Sequence, residues 1–377
     1  MSKRLNILYV PFWYPPHEDQ PVSTGAFIRE HVISASVHDD IHVLLLRTEE
    51  KRNSKTLVKR YTSNGIDVID ITPPFTGSQF RNTLFRRALW LRGLAMSIRK
   101  WGKPDLIHCQ DMSSFYAGPS AKILGIPFVV SQHWSGFNAR LVFKATREKC
   151  KVSFNRAKII LTTSRTGKKD LYHYGIKGDI RWIPNSFNSE VFNSDNITQE
   201  RGGLLHASNF AQDSRVKSVI QAFKQILPEK PDTVLHLVGD GARRTKIEQF
   251  ASEMLPQGSF VFHGNLPGKE RAALMRTSLG FIYPVLWSLH SCYLMEAIAC
   301  GCPSLASAEA CKPIDLEETD VLLSGPDDID SISRGMIKFI DGDHNINVVK
   351  AAQSLHTRFT RQKIGALIHK CHCDALV

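Results

Sequence analysis

Short apolar runs alternate with helix-like stretches along this chain, and the alternation is played out twice. NILYV, IHVLLL, VIDI, LIHCQ, FVVS and IILTTS read as strands. Several are rich in Val, Ile and Leu on both faces, as parallel strands covered by helices should be. GAFIREHVISAS, TLFRRALWLRGLAMSIRK, SFYAGPSAKIL and TGKKDLYHYG read as the helices between them. The pattern resets after WIPNSFNSEVFNSDNITQERGG, a stretch rich in Asn, Ser and Gly. GLLHASN, TVLHLVGD, FVFHG, LGFIYPV and CPSLAS then read as strands, separated by VKSVIQAFKQIL, RRTKIEQFASEML, KERAALMRTS and CYLMEAIACG. At 377 residues the chain is too long for one ordinary core. The expectation is α/β architecture: two doubly wound parallel-sheet domains, 1–186 and 187–357, joined near Pro184 to Asn196. The segment 358–377 is expected to form a helix that packs back on the first domain. Ligands of open parallel sheets sit beyond the C-terminal strand ends, so two such sheets are expected to face a central cleft.

The net charge of +12 calls for an acidic partner: nucleic acid, an anionic lipid surface or a phosphorylated substrate. No nucleic-acid motif and no aromatic-rich basic stripe is present, so nucleic acid is not expected. No segment reaches the roughly 18 apolar residues of a membrane span. The start, MSKRLNILYVPFWYPP, is basic and then apolar, but NILYVPF reads as a first buried strand rather than a leader. A cytoplasmic protein is expected. The eight cysteines form no C-x-x-C pair, and most are read as small buried hydrophobes. Cys371-His372-Cys373 has the residue types for a metal but is read as a fraying tail, and no metal site is expected.

Four segments, in order over nearly the whole chain, resemble one family. WYPPHEDQPVSTGAFIREH looks like its first glycine-containing loop. WIPNSFNSEVF is similar to its I-P-N-G-V-D-x-x-x-F linker. LVGDGARRTKIE with FVFHGNLPGKE, and LMEAIACGCPSLAS, match its G-D-G and E-A-x-A-C-G-x-P units. The family is the retaining glycosyltransferases of family 4. The resemblance implies the GT-B fold, with two Rossmann-like domains. It implies a nucleotide-sugar donor such as a UDP- or GDP-sugar and a glycan or lipid-linked acceptor. No cofactor and no metal are implied, because basic side chains and helix N-termini carry the diphosphate charge.

The resemblance also assigns residues. Glu296 matches the second glutamate of the E-x7-E signature, which accepts hydrogen bonds from ribose hydroxyls. A carboxylate in so apolar a helix must in any case be paired or liganded. The first glutamate is replaced by Ser288, which weakens a contact to the donor sugar. The N–H groups of His290, Ser291 and Cys292 are expected to face the donor, and Ser291 is also a candidate helix cap. Asn209 and Ser214 stand where an arginine and a lysine often grip the diphosphate. Arg215 and Lys217 lie close by, either as substitutes or as a solvated helix start. Asn265 and Leu266 match positions that hold the base through backbone groups. In the first half, Gly25 is the close-approach glycine and His133, past strand FVVS, faces sugar and acceptor. Asp111, past strand LIHCQ, orients the acceptor or caps a helix. His108 is read as buried in its strand, and Asn185 as fixing the hinge.

The function implied is retaining transfer of a sugar in surface polysaccharide or glycan biosynthesis. The alternative left open by Asn209, Ser214 and Ser288 is a pseudoenzyme of the same fold acting as a binding or scaffold subunit. A last feature is FRNTLFRRALWLRGLAMSIRK. Leu84, Ala88, Leu91, Ala95 and Ile98 recur at helical spacing among Arg81, Arg86, Arg87, Arg92, Arg99 and Lys100. It reads either as a peripheral contact with an anionic membrane through 81–100, at the inner face, or as a helix that covers the sheet.

Overall fold

A computed structural model describes residues 3–15, 25–47, 55–75, 79–134, 136–137, 142–195, 201–211, 214–286 and 291–377, without the side chains of 79–83. They form two compact units. One holds the described residues up to Asn185 together with Arg361–Val377, and the other is Ser186–Thr360.

In the first unit the chain runs β1 (Asn6–Val10), α1 (Ala26–Ser36), β2 (Asp40–Leu46), β3 (Leu57–Ser63), β4 (Ile66–Thr72), α2 (Gln79–Trp101), β5 (Leu106–Gln110), α3 (Ser114–Leu124), β6 (Phe128–Gln132), α4 (Lys144–Phe154), β7 (Ile160–Thr162), α5 (Gly167–His173) and β8 (Ile180–Trp182). The sheet order is β3-β4-β2-β1-β5-β6-β7-β8. All pairings are parallel except β3 with β4. That antiparallel edge turns on Asn64-Gly65, both at positive φ, as a two-residue hairpin requires. Its exposed Lys59 and Arg60 make the free edge a poor template for further pairing. One face of the sheet buries Leu8, Leu44, Ile69, Ile107 and Val130 against Trp90, Leu94 and Phe154 from the helices.

In the second unit the order is β9 (Leu204–Ala207), α6 (Val216–Ile226), β10 (Leu235–Val238), α7 (Arg244–Met254), β11 (Phe260–Gly264), α8 (Gly268–Thr277), β12 (Gly280–Tyr283), α9 (Cys292–Ala299), β13 (Ser304–Ala306), α10 (Ala308–Cys311), β14 (Leu322–Leu323), α11 (Ile329–Asp341) and α12 (Val348–Arg358). The six-stranded sheet runs β11-β10-β9-β12-β13-β14, parallel throughout. Helix α6 buries Val219, Ile220, Phe223 and Ile226 against Leu235, Ile282 and Phe339. The two sheets have the α/β, doubly wound form of GT-B domains.

The chain then returns. Helix α13 (Arg361–Asp374) belongs to the first unit. Arg361 makes a two-bond pair with Glu30 of α1, at 2.8 Å each. Ile364, Ile368 and Cys371 are buried along its length. The reading of Cys371-His372-Cys373 as a fraying tail is therefore corrected: His372 is fully buried, because its ring is hydrogen bonded to the buried carboxylate of Asp39.

Candidate active site

Each sheet reverses strand order once, between β1 and β5 in the first unit and between β9 and β12 in the second. Crevices open beyond the carboxyl ends of strands at such points. Most of the candidate residues follow strands at or next to these points, while Asn265 and Leu266 follow the edge strand β11.

In the first unit, β1, β5 and β6 are neighbours. Gly25 follows β1 and opens α1 with φ 87°, a left-handed conformation that a side chain would strain. Its carbonyl accepts from Ile28 and Arg29, both at 3.0 Å. Asp111 follows β5, and it too is left-handed, at φ 49°. It does not cap α3. Its Oδ1 accepts from the backbone N–H of His133 at 2.9 Å and of Trp134 at 3.1 Å. The cap reading fails because the nearest unmet donors are those of the loop after β6. Asp111 thus ties that loop to β5, and its Oδ2 has no hydrogen bond among the described residues. Burial pushes its carboxyl up to about 7, against the pull of the two backbone bonds. His133 is itself buried, its ring 5.6 Å from Phe27 and edge-on to His31 at 5.1 Å. Gly25, Asp111 and His133 are therefore brought together, and His31 and Phe27 of α1 join them. His108 lies buried in β5 as its strand position implies. Asn185 is buried at the end of this unit.

In the second unit, the G-D-G turn after β10 lies against the loop after β9. A Cβ on Gly239 would meet the Ser208 carbonyl at 1.8 Å, and one on Gly241 the Asn209 carbonyl at 2.1 Å, so only glycine fits. Asn209 is exposed, and its Oδ1 accepts locally from the N–H of Ala211 at 3.2 Å. The Ser214 hydroxyl donates to the Ala211 carbonyl at 2.6 Å. Arg215 is drawn to Asp327 at 3.0 Å, and Lys217 lies over the Phe250 ring at 4.4 Å. Arg215 is half-buried with an acidic partner, whereas Lys217 remains exposed at the helix start.

Glu296 lies in α9, in a two-bond pair with Arg271 of α8: Nε to Oε2 at 2.8 Å and Nη2 to Oε1 at 2.9 Å. The Arg271 and Glu296 side chains are 18% and 13% exposed, so this is an interior pair. Arg271 Nη1 also donates to the Leu266 carbonyl at 2.9 Å. Its guanidinium stands 5.2 Å from the Phe192 ring and 5.4 Å from Tyr293. Burial disfavours its charge, but Glu296 outweighs that and holds its pKa above the ordinary range. One arginine thus draws together Leu266 and Glu296, while Asn265 is half-buried beside them. Ser291 starts α9 at φ 42°, yet its hydroxyl donates to the Ala310 carbonyl at 2.6 Å. The candidate side-chain cap is corrected: the hydroxyl proton goes to the Ala310 carbonyl and the side chain makes no cap bond to α9. Cys292 is half-buried in the first turn. Ser288 and His290 lie outside the described residues. Among the described residues no group of three or more His, Cys, Asp and Glu is arranged to hold a metal ion.

Two family profiles match the chain. Glycosyltransferase Family 4 matches 37–191, and Glycosyl transferases group 1 matches 188–355. Among curated proteins, the chain is 25% identical over 210 residues to N-acetyl-alpha-D-glucosaminyl L-malate synthase of Bacillus anthracis, covering 52% of this chain and 54% of that protein. It is 24% identical over 150 residues to alpha-monoglucosyldiacylglycerol synthase of Streptococcus pneumoniae, covering 36% and 34%. The match thus spans about half the length, or less, of these curated relatives. Among solved structures, HepE of Anabaena in complex with UDP and glucose superposes with a TM-score of 0.75 at 15% identity, covering 98% of this chain and 99% of that one.

Proposed function

The chain belongs to the glycosyltransferases of family 4, with a group 1 domain in its second half, and from this we propose that it moves a sugar from a nucleotide-diphosphate donor to a hydroxyl of a glycan or lipid-linked acceptor. The transfer is of the retaining type. The acceptor oxygen attacks the face that the diphosphate leaves, and the leaving phosphate takes the acceptor proton. No protein nucleophile and no metal is needed.

The observation that carries this reading is the pair Arg271–Glu296. A carboxylate presents about four lone-pair sites, so one two-bond arginine does not by itself exhaust it. The pair fixes the Glu296 rotamer in advance, which lowers the ordering cost of gripping a ribose diol. The backbone at Asn265 and Leu266 holds the base, and the start of α9 at Ser291 and Cys292 faces the phosphates. In the first unit Gly25 and His133 face the reacting sugar, and Asp111 holds the His133 loop in place. The relatives named after glucosaminyl and glucosyl products support a hexose-type donor, and the HepE complex supports a uridine diphosphate donor.

A lipid-linked acceptor fits one further feature. Helix α2 buries Leu89, Trp90 and Leu94 on its sheet side, while Leu84 and Leu91 stand 51% and 58% exposed beside Arg87 and Arg92. The helix therefore covers the sheet and still offers a basic, apolar stripe suited to an anionic bilayer surface. Among the described residues no helix is long and apolar enough to cross a membrane.

A scaffold reading draws on Asn209 and on the commitment of Arg215 and Lys217 to Asp327 and Phe250. Calorimetry with UDP, GDP and their hexose conjugates separates the two. Binding that Glu296→Gln weakens about tenfold or more supports transfer, on the scale of a charge-assisted hydrogen bond. No heat at millimolar nucleotide supports the scaffold.

A further inference from the structure

The first unit contains a row of buried polar groups that the proposed transfer leaves unused. Asp39, in the turn between α1 and β2, is fully buried. Its Oδ2 lies 2.7 Å from His372 Nδ1 and its Oδ1 2.7 Å from His369 Nδ1, both on α13. Oδ1 also accepts from the N–H of Leu5 at 3.3 Å. His372 Nε2 lies 2.8 Å from Nδ1 of His108 on β5. His108 Nε2 lies 2.6 Å from the hydroxyl of Ser131 on β6, and that hydroxyl lies 3.4 Å from Nε2 of His31 on α1. His31 then meets the ring of His133 edge-on. Tyr9 of β1 stacks on His108 at 4.1 Å and closes the row from below.

The direction of every bond follows from one end. Burial works against an ionised Asp39, but the bonds from His372 and His369 outweigh it and hold its pKa below the ordinary value. Burial drives the histidines the other way. His372 and His108 are lowered, and His31 falls to about 3. The row is therefore one carboxylate and three neutral imidazoles. A carboxylate only accepts, so His372 carries its proton on Nδ1 and is bare at Nε2. His108 must then donate from Nδ1 and accept at Nε2. The only proton left for that acceptor is the Ser131 hydroxyl's, so the serine oxygen takes the Nε2–H of His31. His31 is left with a bare Nδ1, which has no hydrogen bond among the described residues.

We propose that Asp39, His372, His108 and Ser131 are positioning residues that fix His31 as the Nε2–H tautomer, so that the ring in contact with His133 keeps an unprotonated nitrogen. Nothing in the row needs a bound sugar, so it stands or falls apart from the transfer reaction. The titratable groups around it are Tyr9 on β1, His31 on α1, His133 after β6, and His369, Cys371 and Cys373 on α13.

The test is imidazole nitrogen NMR on the full chain labelled in histidine. In the wild type, His372 and His108 are expected as Nδ1–H and His31 as Nε2–H, all neutral at pH 7. Ser131→Ala cuts the row in the middle. His31 is then expected to become a tautomer mixture while His108 and His372 keep Nδ1–H. Asp39→Asn gives the row a donor at its origin, and His372 and His108 are expected to switch to Nε2–H. A different wild-type pattern, a ring of the row titrating near 6.5, or an unchanged His31 in a folded Ser131→Ala chain overturns the proposal. The wild-type spectrum decides even where a variant fails to fold.

Discussion

Asp111 is a carboxylic acid whose chemistry departs far from its type. Its carboxyl is raised to about 7, so between about pH 4 and pH 7 the folded chain keeps a proton that the unfolded chain has lost. Folding then binds more protons, and this group's contribution to stability falls as pH rises, with a slope of up to about 1.4 kcal/mol per pH unit. Asp111→Asn keeps an oxygen for the N–H groups of His133 and Trp134 and removes that slope. Urea midpoints of variant and wild type are expected to diverge in the variant's favour above pH 5. Arg271 is the second case. Replacing it by leucine leaves Glu296 buried without its guanidinium, which is expected to cost toward the lower end of the roughly 3–5 kcal/mol seen for broken buried pairs. Adding Glu296→Gln should recover part of that, and the two substitutions together form a cycle readable in denaturant. The sequence shows that Glu296 needs a partner, since a carboxylate cannot sit bare in LMEAIACG. It does not show that the partner is Arg271, because the two lie 25 positions apart with a strand between them and one arginine in a polar helix has no special pattern. Asp111 was legible as a strand-end residue, but its ligands are main-chain amides, which no sequence displays.

At the level of elements, α2 carries two apolar faces rather than one. Leu84, Ala88, Leu91 and Ala95 repeat at helical spacing and face outward, while Leu89, Trp90, Gly93 and Leu94 face the sheet. A period of 3.6 marks a helix but not which of two stripes is buried. Changing Leu84 and Leu91 together to Asp is expected to leave stability within about 1 kcal/mol, as surface changes do. It should lower co-sedimentation with vesicles rich in anionic phospholipid at least several-fold. Unchanged sedimentation would remove the membrane from the proposed acceptor side. The parallel strands were legible because they are apolar on both faces. The β3–β4 hairpin was not read, although Asn64-Gly65 is a strong turn signal, because LVKRYTS is an exposed edge strand with little apolar content.

For the whole molecule, both units bury histidines in the neutral state. His31 is lowered to about 3 and His206 to about 4, each by burial, and His206 also bonds the Ile282 carbonyl at 2.8 Å. Their folded pKa values lie below the unfolded 6.5, so the unfolded chain takes up protons first on acidification. Stability is complete above about pH 6.5 and declines as pH falls toward 4. Asp111 runs the opposite way over part of that range, but one carboxyl faces several imidazoles. Thermal melts are expected to shift down steadily from pH 7 to pH 5, and His206→Asn should flatten the change. The two-domain plan was the most legible feature of all, because ordered motifs over most of the chain fix the topology even where single residues depart.

Helix α13 returns to the first unit after the second has been completed. During synthesis, therefore, the ribosome releases all eight strands of the first sheet long before the helix that covers Asp39 and the flank of α1. The nascent lobe must wait, with an uncovered carboxylate and an apolar flank, while some 175 further residues emerge and fold. Its final stability is a property the polypeptide acquires only after α13 has emerged.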